Sequence, residues 1–472
     1  MAPWLYDILM PKDNGANLKR PRSYMDMRSA VMSGLQGPKY YLVAIVLIAF
    51  IAGGGGVGAA ISNLAVQGAA LIVLFANFSA VTQFCREAPR WLLLLVGCSM
   101  ALPLVQIIPL PPSIWTHLPG RDLVVQSLQL IGQDERWAPL SIAPARTFIA
   151  FLGLVPPFTV LILSWQLSPS ERRMIIPLLL CLGACSVIIG AIQLISGGTA
   201  AMIQVEAYGS PDLHGFFANR NSSGLFFVIT LIALVVWSFS ERRRRSSLLI
   251  AATTALLLLL CLVLTRSRSS MALGILILPV LGYALFNKSM QTQKSLLVAG
   301  VLGAGVLVAG IFVLSALGNS QVKSSIDRFT SIEDVRPLIW QDTLSAIKRY
   351  GVIGSGMGTF DEVFQVDESL EYLDPLRAGR AHNDWLEIAL EAGVAGVLLA
   401  LGWTGWILSA GVIALKRRNA VIPVGAFAIL ACMALQSILD YPLRNEALLC
   451  TAALALALLR PIDMAKELGG GV

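Results

Sequence analysis

Apolar runs of membrane-crossing length recur from Tyr41 to Leu459, separated by short polar connectors. A helix needs about 20 apolar residues to cross a bilayer. On that spacing the pattern predicts about a dozen spans, near 41–55, 64–84, 91–109, 147–166, 174–195, 222–239, 247–265, 270–286, 295–316, 393–414, 420–438 and 446–460. The uncharged stretch from Tyr41 to Cys85 holds two of them, because Lys39 and the following connector, Arg86 to Arg90, are both basic and belong on one side. Three intervals are longer, at 110–146, 196–221 and 317–392. In the last of these, Trp340, Leu344 and Ile347 recur at helical spacing, which predicts an amphipathic helix against the membrane surface or the bundle.

Composition agrees with a chain solvated by lipid, since 56% of its 472 residues are hydrophobic and only 13% charged. A soluble protein carries roughly a quarter charged residues. The net charge of +7 does not indicate nucleic acid, because its basic residues lie in alternate connectors. Those connectors hold Arg86/Arg90, Arg172/Arg173, Arg242 to Arg245, Lys288/Lys294, Lys416 to Arg418 and Arg460/Lys466. Basic connectors stay on the cytoplasmic side, so both termini are expected there. The interval 317–392 carries 13 Asp/Glu against 7 Lys/Arg and is expected outside. The expected organisation is a cytoplasmic segment 1–40, nine spans in 41–316, a large extracytoplasmic loop 317–392, three spans in 393–460 and a cytoplasmic tail 461–472. No early apolar segment of signal-peptide type is seen. The seven cysteines are scattered, mostly within apolar runs, and are expected to pack in the membrane.

Three outside-facing segments carry candidate chemistry. Thr265-Arg266-Ser267-Arg268-Ser269-Ser270 joins two spans where basic residues are disfavoured, so its arginines either snorkel to headgroups or capture an anion. His214-Gly215-Phe216-Phe217-Ala218-Asn219-Arg220-Asn221 precedes a span and places Arg220 beside a helix start, with Asn219 and Asn221 flanking it. Arg380-Ala381-His382-Asn383-Asp384 leads into a stretch whose helical spacing puts Asp384, Glu387 and Glu391 on one face. His382, one of three histidines, stands at its start and can accept or donate a proton near neutral pH. Gly354-Ser355-Gly356-Met357-Gly358 lacks the Lys-Ser/Thr of a phosphate loop and reads as a tight turn. Gly53 to Gly56 reads as a turn or a close helix contact. No HExxH, CxxC or EF-hand pattern occurs, so no metal ligand set is suggested.

These segments together resemble the O-antigen ligase and polymerase superfamily, which includes exopolysaccharide polymerases. The resemblance runs through Phe217 to Asn221, Thr265 to Arg268, Gly354 to Phe360, His382 to Glu387 with Glu391 and Gly393, and Asp440-Tyr441-Pro442-Leu443, and covers roughly 40–460. It implies an all-α polytopic inner-membrane protein with a large periplasmic loop, of the GT-C-like class of lipid-dependent glycosyltransferases. It further implies metal-independent transfer with no cofactor, from a glycan carried on undecaprenyl diphosphate. Arg220, Arg268 and His382 match the positions tied to catalysis. Arg266, His214, Asn219, Asn221, Arg380, Asn383, Asp384, Glu387, Glu391 and Tyr441 are the expected substrate-binding set, with Asp384 or Glu387 orienting the imidazole or the acceptor. Ser269 departs from the small residue usual after the motif's arginine.

Polymerase and ligase share this core. Asn219-Arg220-Asn221, and Ser141 to Arg146 before a span, are closer to exopolysaccharide polymerases. The expected partners are the lipid-linked oligosaccharide, an acceptor glycan or glycolipid, a flippase and a chain-length regulator. A transporter of lipid-linked oligosaccharide would instead show paired ionisable residues inside spans and repeat symmetry. A scaffold would leave Arg220, Arg268 and His382 dispersed.

Overall fold

The computed structural model describes residues 37–56, 58–240, 245–287, 336–370, 378–417 and 420–460. The expected span 295–316, the segments 1–36 and 461–472, and the basic positions Arg242 to Arg244, Lys288, Lys294, Arg418 and Lys466 lie outside the described residues.

The described chain is mostly helical, and it is a membrane protein. Among the described residues six helices are long and apolar enough to cross a bilayer: Pro144–Gln166, Pro169–Ile195, Arg220–Ser240, Arg268–Phe286, Asp384–Lys416 and Val421–Leu439. Shorter apolar helices, Pro38–Ala52, Arg90–Gln106, Leu249–Leu264 and Glu446–Leu459, fall where further spans are expected. Large apolar side chains such as Phe75, Trp91, Ile195 and Phe286 point outward, as they must where hydrocarbon is the solvent.

Arg220–Ser240 is the central helix. It is buried almost throughout and packs against Ile175–Ile195, Arg245–Leu264, Ile277–Asn287 and Val421–Leu439. Beside it, Val155–Gln166 packs on Glu446–Leu459, Pro38–Ala52 and Ala60–Ala76. Asp384–Lys416 runs along the outside and is the least buried of the long helices.

One expected span is broken. The apolar stretch predicted near 64–84 folds as Ala60–Ala76 and Phe78–Glu87, bent by 79° at Asn77. Asn77 leaves helical geometry and its side-chain amide donates back to the Val73 carbonyl at 2.9 Å. A polar side chain that competes for helix carbonyls ends a helix this way. The second arm is mixed in character and packs Phe84 edge-on against Trp165. The cysteines also divide: Cys261, Cys432 and Cys450 pack inside the bundle, whereas Cys98, Cys181 and Cys185 face outward from it.

The helices sort the connectors to two ends. At one end Lys39 pairs with Glu171 at 3.5 Å, and Arg172 donates to the Arg460 carbonyl at 3.2 Å. Pro38–Ala52 separates this basic end from Gly53 to Gly56 at the other. There the glycines permit close approach, since a Cβ on Gly54 would stand 2.2 Å from the Phe216 carbonyl oxygen. The rings of Phe50, Phe216, Phe217 and Phe226 pack around that contact and hold the connector before Arg220 to the bundle.

Within the large loop, the amphipathic helix expected around Trp340 is Arg336–Tyr350, and it packs against Asp384–Lys416. Trp340 donates from its indole to the Ala381 carbonyl at 2.9 Å, directly before His382. The long helix begins at Asp384, within the interval expected as loop, and breaks at Gly393, where the span is expected to start. Gly393 sits at φ +55°, and a Cβ there would lie 2.0 Å from the Val352 carbonyl oxygen. Gly393→Ala is therefore expected to destabilise the protein by about 2 kcal/mol or more. Thermal unfolding of the purified protein in detergent checks this; an unchanged midpoint would show that the break is not needed.

Candidate active site at the glycine-rich end of the bundle

Four segments remote in sequence meet at the end marked by Gly53 to Gly56. His382 Nδ1 lies 3.1 Å from Asp440 Oδ1. Asn219 donates from its amide to both Asp440 oxygens, at 3.3 and 3.0 Å. Arg220 follows Asn219 and opens the central helix. Asn221 then binds the third segment: Ser267 Oγ donates to Asn221 Oδ1 at 2.8 Å and Ser270 Oγ to its carbonyl at 3.0 Å. Ser267 caps the short helix Arg268–Leu273, so it fixes where Arg268 emerges. Gln436, on the helix that ends at Asp440, donates to Ser269 Oγ at 3.0 Å. His382, Arg220 and Arg268 thus stand on segments joined by one hydrogen-bond network.

The carboxylate beside the imidazole is Asp440, in place of the expected Asp384 or Glu387. Its side chain is only 2% exposed, while that of His382 is 33% exposed. A buried carboxylate facing one ring nitrogen fixes the ring and leaves the other nitrogen toward solvent. His382 adopts φ +50°, uncommon for a residue with a side chain. Asn383 caps the next helix by accepting from the Trp385 and Leu386 amides, and Trp340 holds Ala381 from the other side. The strained backbone is thereby held on both flanks, as is common at functional sites.

Asp384, Glu387 and Glu391 do share one helix face, and that face is buried against Arg444. The Arg444 guanidinium approaches Glu391 at 2.7 Å, Glu387 at 3.3 Å and Asp384 at 3.7 Å. Burial alone would lower the Arg444 pKa, but Glu391, Glu387 and Asp384 outweigh it and the net shift is upward. The remaining acceptors of these acids tie down neighbouring backbone. Glu387 takes the Ala381 amide and pairs with Arg380, Asp384 takes Ser437 Oγ and the Leu443 amide, and Glu391 takes the Phe360 amide. This frame fixes the His382 segment relative to the Asp440 turn.

Tyr441 packs against His382 with the rings tilted by 59° and their centroids 5.0 Å apart. Burial, then the Asp440 charge, push its hydroxyl pKa well up, so it acts as a hydrogen-bonding group and not as a base. His214 is buried and its Nε2 meets Ser210 Oγ at 2.9 Å. Its pKa is lowered, chiefly by burial, with Asp212 and Arg220 contributing in opposite senses. Asp212 bridges two of the arginines: it pairs with Arg220 at 2.7 Å and with Arg266 at 3.3 Å.

The Gly354 to Gly358 segment is a structural turn. Gly354, Gly356 and Gly358 all have positive φ. Its amides are used internally, Ser355 donating to Leu390, Gly356 to Glu391 and Met357 to Gln106 Oε1. No amide of these three is left for a phosphate.

Sequence reasoning missed Asp440 as the partner of His382, as well as Asp212 and Arg444. Asp440 carried one usable signal, a lone charge directly after the apolar run ending Ile438-Leu439.

The fold and this network define a polytopic helical membrane protein with an imidazole, a carboxylate and several guanidiniums gathered at one end of the bundle. Residues 253–401 match the family model described as O-antigen ligase. That match places this segment with the O-antigen ligase and polymerase superfamily, whose members are glycan-transferring enzymes. Its function is accordingly of the O-antigen ligase or polymerase type, which implies a lipid-linked glycan and an acceptor as substrates. A comparison with curated proteins finds no match.

Proposed function

We propose that the protein is an inner-membrane glycosyltransferase that polymerises glycan repeat units from undecaprenyl diphosphate on the periplasmic face. The observation that carries this reading is the hydrogen-bond network joining the segments of His382, Arg220 and Arg268 through Asp440, Asn219, Asn221 and Ser267. In this reading twelve spans of GT-C-like arrangement cross the membrane, both termini are cytoplasmic, and the 317–392 loop is periplasmic. The basic end around Lys39, Arg172 and Arg460 then faces the cytoplasm, in keeping with the charge rule.

The acceptor hydroxyl attacks C1 of the donor sugar while the bond from C1 to the diphosphate oxygen breaks. The bonding electrons leave with the diphosphate, and the hydroxyl proton passes to His382 as the new C1–O bond forms. Direct displacement inverts C1. Charge grows on the leaving diphosphate, so cations fixed beforehand stabilise the transition state more than the ground state. Arg220 and Arg268 fill that role. Asp440 holds the imidazole and stabilises it once protonated. Asn383, Arg380 and Tyr441 border the place for the acceptor.

Replacing Arg268 with alanine is expected to lower turnover by about 10²- to 10³-fold. The check is transfer from a lipid-linked oligosaccharide by protein purified in detergent; near-normal turnover would remove Arg268 from the reaction. Glycans from cells with and without the gene separate polymerase from ligase. Loss of long polymer, with a single repeat unit still on its acceptor, marks a polymerase. Unattached polymer accumulating on the lipid marks a ligase, which the shared core also accommodates.

A further inference from the structure

Asp212 stands where the anion site would need to be empty of negative charge. Its two oxygens face two different guanidiniums, Oδ2 accepting from Arg220 Nη1 at 2.7 Å and Oδ1 facing Arg266 Nη1 at 3.3 Å. The second contact is an ion pair without hydrogen-bond geometry, so Oδ1 is buried with no hydrogen bond among the described residues. The carboxylate is 8% exposed, Arg266 11% and Arg220 35%, so the trio opens outward through Arg220. The loop is built to place it. Leu213 donates to the Leu264 carbonyl at 3.1 Å, one residue before Thr265, and the Asp212 amide donates to Ser210 Oγ at 3.2 Å. Arg266 is held at φ +53°, an outlier for a residue with a side chain, and its guanidinium is turned toward Asp212.

We propose that Asp212 sets how tightly the site holds a prenyl diphosphate, by competing with the phosphate oxygens for Arg220 and Arg266. This inference rests on the diphosphate site proposed above. In the ligand-free protein Asp212 offsets the repulsion between two neighbouring guanidiniums and keeps them aimed at one point. When a diphosphate arrives, the fixed carboxylate opposes it. The opposition grows during transfer, because the donor's diphosphate diester gains a further charge when its bond to C1 breaks. Asp212 therefore acts most strongly on the lipid diphosphate product and speeds its departure, a step that limits turnover in many enzymes. A residue present only to hold the loop would have no reason to weaken binding.

The test is calorimetric titration of farnesyl diphosphate into the detergent-purified full-length protein, with unfolding midpoints as the folding control. Asp212→Asn keeps the shape and removes the charge, and is expected to bind about tenfold or more tightly than wild type. Steady-state transfer by the same variant should show a lower KM and a lower kcat, with a burst before the slow phase. Asp212→Ser gives a second neutral variant with the same expectation, and Asp212→Glu, which keeps the charge, should bind as wild type. Unchanged or weaker binding by a folded neutral variant overturns the proposal, and so does tighter binding by Asp212→Glu. Arg220→Ala tests the underlying site separately: it should bind about tenfold or more weakly. If it binds as wild type, the diphosphate site itself is misplaced. If only Asp212→Asn fails, the site stands and the role of Asp212 falls.

Discussion

His382→Ala is expected to lower glycan transfer by about 10²- to 10⁴-fold with little change in the unfolding midpoint. The imidazole is a third exposed and bonded through Nδ1 to a buried carboxylate, so its removal takes away the proton acceptor without opening a cavity in the bundle. The effect should appear in kcat, because the proton moves only as the C1–O bond is made. Asp440→Ala is expected to cost less, about 10²-fold, because it frees the ring to leave its reactive orientation while the base itself remains. It also leaves the Asn219 amide without its acceptor. A His382→Ala protein that transfers at the wild-type rate would remove the imidazole from the reaction.

Arg444→Met is expected to have the largest effect on stability, roughly 3–5 kcal/mol. Asp384, Glu387 and Glu391 have side chains 1%, 0% and 0% exposed, and Arg444 is the cation they share. Removing one partner of a buried ion pair costs far more than the pair contributes, because the remaining charges lose their compensation without regaining water. Here Asp384 and Glu391 lose the cation they pair with, and Glu387 keeps only the partly exposed Arg380. The check is the thermal midpoint in detergent, with the yield of folded protein in the membrane as a second reading. Arg444→Lys should recover only part of the loss, since one ammonium cannot reach along three carboxylates as a planar guanidinium does. Adding Glu391→Gln to Arg444→Met should restore some stability, because it removes one of the stranded charges. An Arg444→Met protein that melts with the wild type would mean that the acids tolerate burial unaided.

The span pattern was legible because the bilayer demands long apolar runs, and Arg220–Ser240 and Val421–Leu439 lie within two residues of their expected bounds. The amphipathic helix at Trp340 and the acidic face of Asp384, Glu387 and Glu391 were legible for a related reason: helical periodicity shows in the residue spacing. What that face touches was not. Periodicity identifies a stripe but not its partner, and the cation that all three acids share is an arginine more than fifty residues away. The break at Asn77 escaped notice because an apolar window averages over one polar residue that ends a helix. The pairing of Asp440 with His382, and of Asp212 with its arginines, escaped for the same reason as Arg444. Each acid is a lone residue in a turn, and its meaning arises only when the bundle brings a second turn beside it. His382, Arg220 and Arg268 could be chosen from their residue type and side of the membrane, yet their connection through Asn219, Asn221 and Ser267 belongs to the tertiary structure alone.

The most direct test is a double-mutant cycle on transfer from a lipid-linked oligosaccharide, using purified wild type, His382→Ala, Asp440→Ala and the double variant. If Asp440 works through the imidazole, the double variant transfers no more slowly than His382→Ala alone, and both fall about 10²-fold or more below wild type. Transfer by His382→Ala at near the wild-type rate, or independent and additive losses for the two residues, would contradict a transfer site built on the His382–Asp440 pair.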